Sequence, residues 1–232
     1  MKYGRVVKAD FISRPNRFIA EVMLDGVKET VHVKNTGRCR ELLISGSTVY
    51  LEDSFPKQRK TRYDLIAVEK KLENDKIKLV NMDSQAPNKA VGEWLKEHPI
   101  FGEPVSVRPE VTVGGSRFDF GVVGSLGSGY LEVKGVTLED DGVVLFPDAP
   151  TKRGVKHLSE LTDLAKRGVM CAVMFVVQMS NVKYFKPNRR TDPDFADALA
   201  LAANAGVRII AVECRVEPDS MVITKEIEVR LD

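Results

Sequence analysis

Long apolar runs are missing from this sequence. No stretch approaches the roughly 20 residues that a membrane-spanning helix needs, and the opening MKYGRVVKADF alternates like a strand instead of carrying a signal peptide's apolar block. Both absences predict a soluble, cytoplasmic protein with no membrane partner. Cysteine is scarce too: Cys39, Cys171 and Cys214 are scattered, with no CxxC and no histidine at ligand spacing, so neither a disulfide framework nor a zinc site is expected. Buried free thiols are the remaining expectation. There is no internal repeat and no low-complexity tract. Aromatics make up only 7% of the chain, and those of the N-terminal part, Phe11, Phe18, Tyr50, Phe55 and Tyr63, include several at core-like positions. Single-strand binders stack bases on exposed rings, so this scarcity favours a double-stranded partner.

What is present divides the chain in two. Residues 1–83 hold 17 Lys and Arg against 12 Asp and Glu, net +5, whereas residues 84–232 hold 18 against 21, net −3. Such a split suggests a basic module for a polyanion joined to a unit with other work. In the first part, alternating runs such as YGRVVKADFI, RFIAEVML, ETVHVK and STVYLED are separated by LDG, NTG and ISGS turns. Five or six short strands in about 80 residues read as an OB-like β-barrel, a fold that often binds oligonucleotides.

After SQAPN the period changes. NKAVGEWLKEHP reads as a short helix. Three strands follow, PVSVRPEVTV, SRFDFGVV and GYLEVKGVTL. TKRGVKHLSELTDLAKRG then repeats Leu158, Leu161, Leu164 and Ala165 at helical spacing. CAVMFVVQM is a strand buried on both faces. A last helix, DPDFADALALAANAG, and the strand VRIIAVECRV complete an α-β-β-β-α-β-α-β order, hence a mixed-sheet α/β domain over 84–232. The composition shift suggests that 1–83 and 84–232 have separable cores.

The hairpin FDFGVVGSLGSGYLEVKG carries charges that a strand pair does not need. With alternating faces, Phe118, Phe120 and Val122 share one side and Asp119 takes the other, while Glu132 and Lys134 lie opposite Leu131 and Val133. If the Gly/Ser-rich 124–129 makes the turn, Asp119 and Glu132 stand nearly opposite, within roughly 5 Å at Cβ. Like charges there repel, but paired carboxylates are hard ligands that can hold Mg²⁺ or Mn²⁺, with Lys134 positioning water or steadying a transition state. The GSLGSG segment is followed by a strand, not a helix, and is a hairpin turn instead of a phosphate loop.

This order and motif resemble the PD-(D/E)xK nuclease superfamily. The resemblance implies Asp119 and Glu132 as metal ligands, Lys134 as the catalytic lysine, and Glu93 of the preceding helix as the acid that often completes such sites, with Glu97 a competitor. No proline precedes Asp119, where RFD stands in place of PD. VKNTGRC, SRFDF, YLEVKGVTL, LFPDAPTKRGVKHLSEL, MFVVQ and DPDFADAL together resemble the signature run of the sugar fermentation stimulation (SfsA) family. That implies an OB-like domain followed by a nuclease-like domain, DNA binding without marked sequence preference, and a regulatory role in sugar metabolism. It does not imply established cleavage.

Basic residues complete the expectations. Lys152, Arg153, Lys156 and His157 crowd the start of a helix, where cations oppose the macrodipole and call for an anionic partner. Lys34, Arg38 and Arg40 surround a glycine turn, and Lys57, Arg59, Lys60 and Arg62 form a second cluster. Such groups supply sequence-independent phosphate contacts; FKPNRR adds a further phosphate contact or a plain loop. The first reading is therefore a DNA-binding protein with a Mg²⁺-dependent phosphodiesterase site. Its rivals are a non-catalytic DNA-binding regulator on an inert nuclease-like scaffold, and RNA processing.

Overall fold

The structure, a computed structural model, describes residues 1–35, 37–54, 61–72 and 76–232. Its N-terminal strands are β1 (Val6–Asn16), β2 (Ile19–Leu24), β3 (Val27–Val33), β4 (Thr48–Asp53), β5 (Tyr63–Lys71) and β6 (Ile77–Asn81). Strand alternation buries Ala20, Val22 and Leu24 along β2. The β2–β3 hairpin turns on Asp25 and Gly26, both with positive φ (50° and 78°), the geometry that matches the twist of paired strands. Strand β3 pairs with β5 in parallel at His32↔Asp64 and Val33↔Leu65, closing a five-stranded OB-like barrel. Lys57, Arg59 and Lys60, and Phe55, lie outside the described residues.

The second unit adds α1 (Ala86–Trp94), β7 (Pro104–Val113), β8 (Ser116–Gly124), β9 (Gly127–Val136), β10 (Leu138–Asp140), β11 (Val143–Phe146), α2 (Lys152–Lys166), β12 (Met170–Val177), β13 (Tyr184–Pro187), α3 (Pro193–Asn204), β14 (Arg208–Glu217), β15 (Ser220–Glu226) and β16 (Glu228–Val229). Its main sheet runs β15-β14-β12-β9-β8-β7, with β12 parallel to both β9 and β14 and the other pairs antiparallel. Strand β12 is buried on both faces, as its continuous apolar run predicts: Cys171, Val173 and Phe175 pack towards α2 and α3, and Ala172, Met174 and Val176 towards α1. A second sheet, β10-β11-β13-β16, is built from short strands that the sequence pattern did not show. FKPNRR lies partly in it, since β13 takes Lys186, and Arg189 is paired with Asp197 at 2.6 Å.

The apolar cores run together across residue 83. One cluster joins barrel residues such as Val33, Leu42 and Leu65 to Leu158, Leu161 and Phe195. The other joins Met1, Tyr3 and Ile66 to Val91, Met174 and Val212. A polar seam reinforces this: Asn81 N donates to the Gln178 carbonyl at 2.9 Å, and Gln178 Nε2 donates back to Asn81 Oδ1 at 2.9 Å. Cys39, Cys171 and Cys214 are buried free thiols.

Candidate metal and phosphodiester site

Strands β8 and β9 meet in a hairpin tighter than 124–129, with Gly124 paired to Gly127 and only Ser125 and Leu126 in the turn. The ladder runs from there to Phe120↔Leu131 and stops. Beyond it β8 changes face. Phe120 packs with the α1-side core, but Phe118 packs with the α2-side core and meets the His157 ring edge-on at 6.0 Å between centroids. The expectation that Phe118, Phe120 and Val122 share one face is therefore corrected. The switch occurs at Asp119, where the pairing with β7 also skips Glu110, a residue with φ of 54°.

Asp119 replaces the missing rung with its side chain. Its Oδ2 accepts from Val133 N at 2.7 Å, and its Oδ1 accepts from Asn88 Nδ2 of α1 at 2.7 Å. Glu132 comes from the neighbouring strand towards α2 and is only 3% exposed. Its Oε1 accepts from Lys134 Nζ at 2.5 Å and is hydrogen-bonded to His157 Nδ1. Its Oε2 is buried and has no partner among the described residues.

The two carboxyls are pushed apart in acidity. Burial raises the pKa of Asp119 above the ordinary range, the Glu132 charge adds to this, and the Val133 and Asn88 hydrogen bonds oppose it without prevailing. Burial also acts to raise that of Glu132, but there the His157 hydrogen bond and Lys134 outweigh it and hold the carboxyl low. Glu132 is thus the committed anion, and Asp119 is ionised at a penalty that a nearby cation would remove. These oxygens fit a hard divalent ion in type and in the one buried carboxylate oxygen left without a partner. They do not form a complete cage: among the described residues no group of three or more His, Cys, Asp or Glu side chains is arranged to hold a metal.

Several expected residues stand elsewhere. Glu93 is a correction: its side chain is 60% exposed and bonded to the Met1 ammonium at 2.7 Å, and Asn88 takes the place facing Asp119. Helical geometry explains this, because Asn88, Val91, Gly92 and Leu95 recur at three- and four-residue intervals on the sheet-facing stripe and Glu93 lies off it. Glu97 is exposed as well. His157 is not on the solvent face but buried against Glu132. Lys34 is likewise removed from the phosphate-contacting set, since its 17%-exposed ammonium lies 3.2 Å from Glu52, 3.4 Å from Asp64 and 3.5 Å from Asp83. Arg62 is bonded to Asp53 at 2.6 Å. Lys152 and Arg153 are exposed on the first turn of α2, which Thr151 caps by accepting from Gly154 N at 3.0 Å. Lys156 is exposed too, bonding Gly115 O at 3.0 Å. Arg38 and Arg40 are exposed on the barrel.

Two family models match. The SfsA N-terminal OB domain covers residues 12–80 and the sugar fermentation stimulation protein RE domain covers residues 85–220. The chain belongs to the SfsA family. Curated SfsA relatives include a sugar fermentation stimulation protein homolog of Desulfitobacterium hafniense (strain Y51), 51% identical over 221 residues covering 95% of this chain and 94% of that one. The homolog of Ruminiclostridium cellulolyticum is 48% identical over 231 residues and covers all of both chains. A solved structure, that of Pyrococcus furiosus SfsA in complex with Ca²⁺, superposes with a TM-score of 0.85 at 28% identity, covering 99% of this chain and 98% of that one. No helix among the described residues of this SfsA chain is long and apolar enough to cross a membrane.

Proposed function

We propose that this chain is a largely sequence-independent DNA-binding protein whose Asp119 and Glu132 hold a divalent cation, Mg²⁺ or Mn²⁺, for phosphodiester chemistry. The observation that carries the metal half is the buried, unpartnered Glu132 Oε2 beside a second carboxyl whose ionisation burial and Glu132 disfavour. A bound divalent ion would acidify water and neutralise charge on a phosphate. The chain's own groups set the stage for it. Asn88 and Val133 N orient Asp119, and Lys134 and His157 occupy one Glu132 oxygen so that the other is left available. The Lys134 ammonium stands where it can stabilise negative charge on a phosphate. Exposed Lys152, Arg153 and Lys156 lie on the same helix as His157 and supply backbone contacts. The Ca²⁺ complex of the P. furiosus relative supports a divalent site.

A second reading, a non-catalytic DNA-binding regulator of sugar metabolism, is favoured by the lack of a third ligand among the described residues. Calorimetric titration with Mg²⁺, Mn²⁺ and Ca²⁺, and cleavage assays on plasmid, linear duplex, single-stranded DNA and RNA, separate the two. Saturable heat and cleavage that both vanish in Asp119→Ala support the first reading. Metal heat without cleavage, or neither, leaves the regulator.

A further inference from the structure

A cleft of ≈ 430 Å³ opens at the β1–β2 corner of the barrel, lined by Arg14, Arg17, Arg38 and Arg40 together with Asn16 and, from the second unit, Ala149. Four arginines line it, and the one carboxylate at its edge, that of Asp148, accepts from the backbone Arg38 N at 3.3 Å and forms no ion pair with these arginines among the described residues. Arg14 is the fixed member: Nη1 donates to the carbonyls of Gly37 and Arg38, both at 2.8 Å, and Nη2 to those of Arg17 at 2.8 Å and Asn35 at 2.6 Å. Its charge is therefore spread over carbonyls and neutralised by no acid among the described residues, and its Nε is buried without a partner. Arg17, Arg38 and Arg40 form no ion pair among the described residues. Like charges converging on a cleft are unfavourable until an anion enters, and planar guanidinium forks match phosphate oxygens.

Beside the cleft stands Phe18, 51% exposed. Its backbone is pinned: Asn16 Oδ1 accepts from Phe18 N at 2.9 Å and from Ile19 N at 3.1 Å, and Val33 N donates to Phe18 O at 2.8 Å. The Arg17 guanidinium lies 5.9 Å from its ring centroid, so ring and cleft adjoin. Of the other barrel aromatics within the described residues, Phe11 and Tyr63 are buried and the Tyr50 hydroxyl is bonded to Glu69 at 2.7 Å. A single exposed apolar side chain is ordinary on a protein surface. One whose backbone is fixed at the rim of an arginine-lined cleft can serve as a stacking platform with a phosphate site attached.

We propose that this corner takes one unpaired nucleotide of a polynucleotide, its phosphate in the arginine cleft and its base on Phe18. The assignment rests on the nucleic-acid reading above and narrows the substrate to strands with a single-stranded segment, such as an overhang beside a duplex. In a continuous duplex every base is stacked between neighbours and cannot reach the ring.

Fluorescence anisotropy on the full chain tests this, using a blunt duplex and an overhang-bearing duplex of equal phosphate count. The overhang substrate is expected to bind about tenfold more tightly, the scale of one base stacked on an aromatic ring. Phe18→Ala closes that gap and Phe18→Trp keeps it. Arg40→Ala weakens binding and lowers the slope of log affinity against log salt by about 1. Equal affinity for the two duplexes, a gap that survives Phe18→Ala, or an unchanged slope in Arg40→Ala overturns the assignment. Failure of both duplexes to bind at low salt would overturn the DNA reading itself and the assignment with it.

Discussion

Neutralising either carboxyl of the β8–β9 site removes one negative charge, yet the two changes should move stability in opposite directions in metal-free buffer. Repulsion between two carboxylates, taken alone, would have each amide relieve it. The structure divides them. Glu132 is buried and anchors Lys134 and His157 through one oxygen. Glu132→Gln leaves the Lys134 ammonium without its counter-ion and sets an amide NH₂ where the buried Oε2 already lacks a partner. Breaking a buried ion pair from one side is worth about 3 kcal/mol, and a chain of this size loses about 2–4 °C in Tm per kcal/mol, so a fall on the order of 6–12 °C is expected.

Asp119→Asn behaves differently. The carboxyl has a raised pKa, so its ionised form is disfavoured in the folded state at neutral pH. The amide keeps the acceptor for Val133 N, and Asn88 can rotate its own amide to present an oxygen, so both hydrogen bonds survive. The change should be neutral or stabilising by up to about 1 kcal/mol at pH 7. Any gain disappears as pH falls through the raised folded pKa towards the unfolded value near 4, because the wild-type carboxyl is then protonated as well. At 100 times its dissociation constant a divalent ion adds about 2.7 kcal/mol to the wild type, or about 5–11 °C, and nothing to either variant. Differential scanning calorimetry of the three proteins, with and without Mn²⁺, reads all of this. Equal destabilisation by both amides with no metal effect would refute the reasoning and make the cluster structural.

Lys34→Met should act as a stability variant, not as a lost phosphate contact. Three carboxylates, Glu52, Asp64 and Asp83, surround that ammonium, so about 3 kcal/mol should be lost in urea titration while the salt slope of DNA binding stays as in the wild type. Glu139 gives a pH signature. Burial acts to raise its pKa, but Lys70, Gly142 N and Lys78 outweigh it and hold the carboxyl below the usual value. Its stabilisation is present above about pH 4.3 and is lost as pH falls through the folded value, so the gap in Tm between wild type and Glu139→Gln should shrink across that range. A gap that widens on acidification would contradict this. The isolated 84–232 fragment should show no cooperative melting, because its α1-side core lacks Met1, Tyr3 and Ile66; a sharp transition near that of the full chain would show that the cores stand apart after all.

The barrel and the main sheet were legible because both depend on simple periodicities: alternation in β1 to β6, and the two-sided apolar run of β12. The charged trio was legible because carboxylates and a lysine are out of place in a hairpin. What escaped was the part set by helical phase and by tertiary pairing. Residues 157, 161 and 164 fall on one stripe, which should have turned His157 inward with Leu161 and Leu164, but its charge grouped it with Lys152, Arg153 and Lys156. Asn88 escaped because an uncharged amide carries no signal of its own, although it shares the inward stripe of Val91 and Leu95. Lys34 looked like a phosphate contact because its three acids come from distant parts of the chain. The β10-β11-β13-β16 sheet escaped because its strands are two to four residues long, too short for any pattern to repeat.

The fused cores also tie the barrel to the site. Asp83, two residues past the end of β6, accepts from Gln85 N at 2.9 Å through Oδ1, and its carbonyl accepts from Ala86 N at 3.1 Å, so the end of the barrel holds the start of α1. Gln178, the residue after β12, donates to the same carbonyl at 3.1 Å and to Asn81 at 2.9 Å. Two residues after Ala86 begins the helix, Asn88 reaches down to Asp119. Any displacement of this end of the barrel would therefore bear on α1, and Asn88 is the contact through which it would reach a carboxyl. Interfaces packed this closely shift between discrete arrangements instead of deforming smoothly. The seam at Asn81, Asp83 and Gln178 is thus where substitution should alter the carboxylate site without touching it.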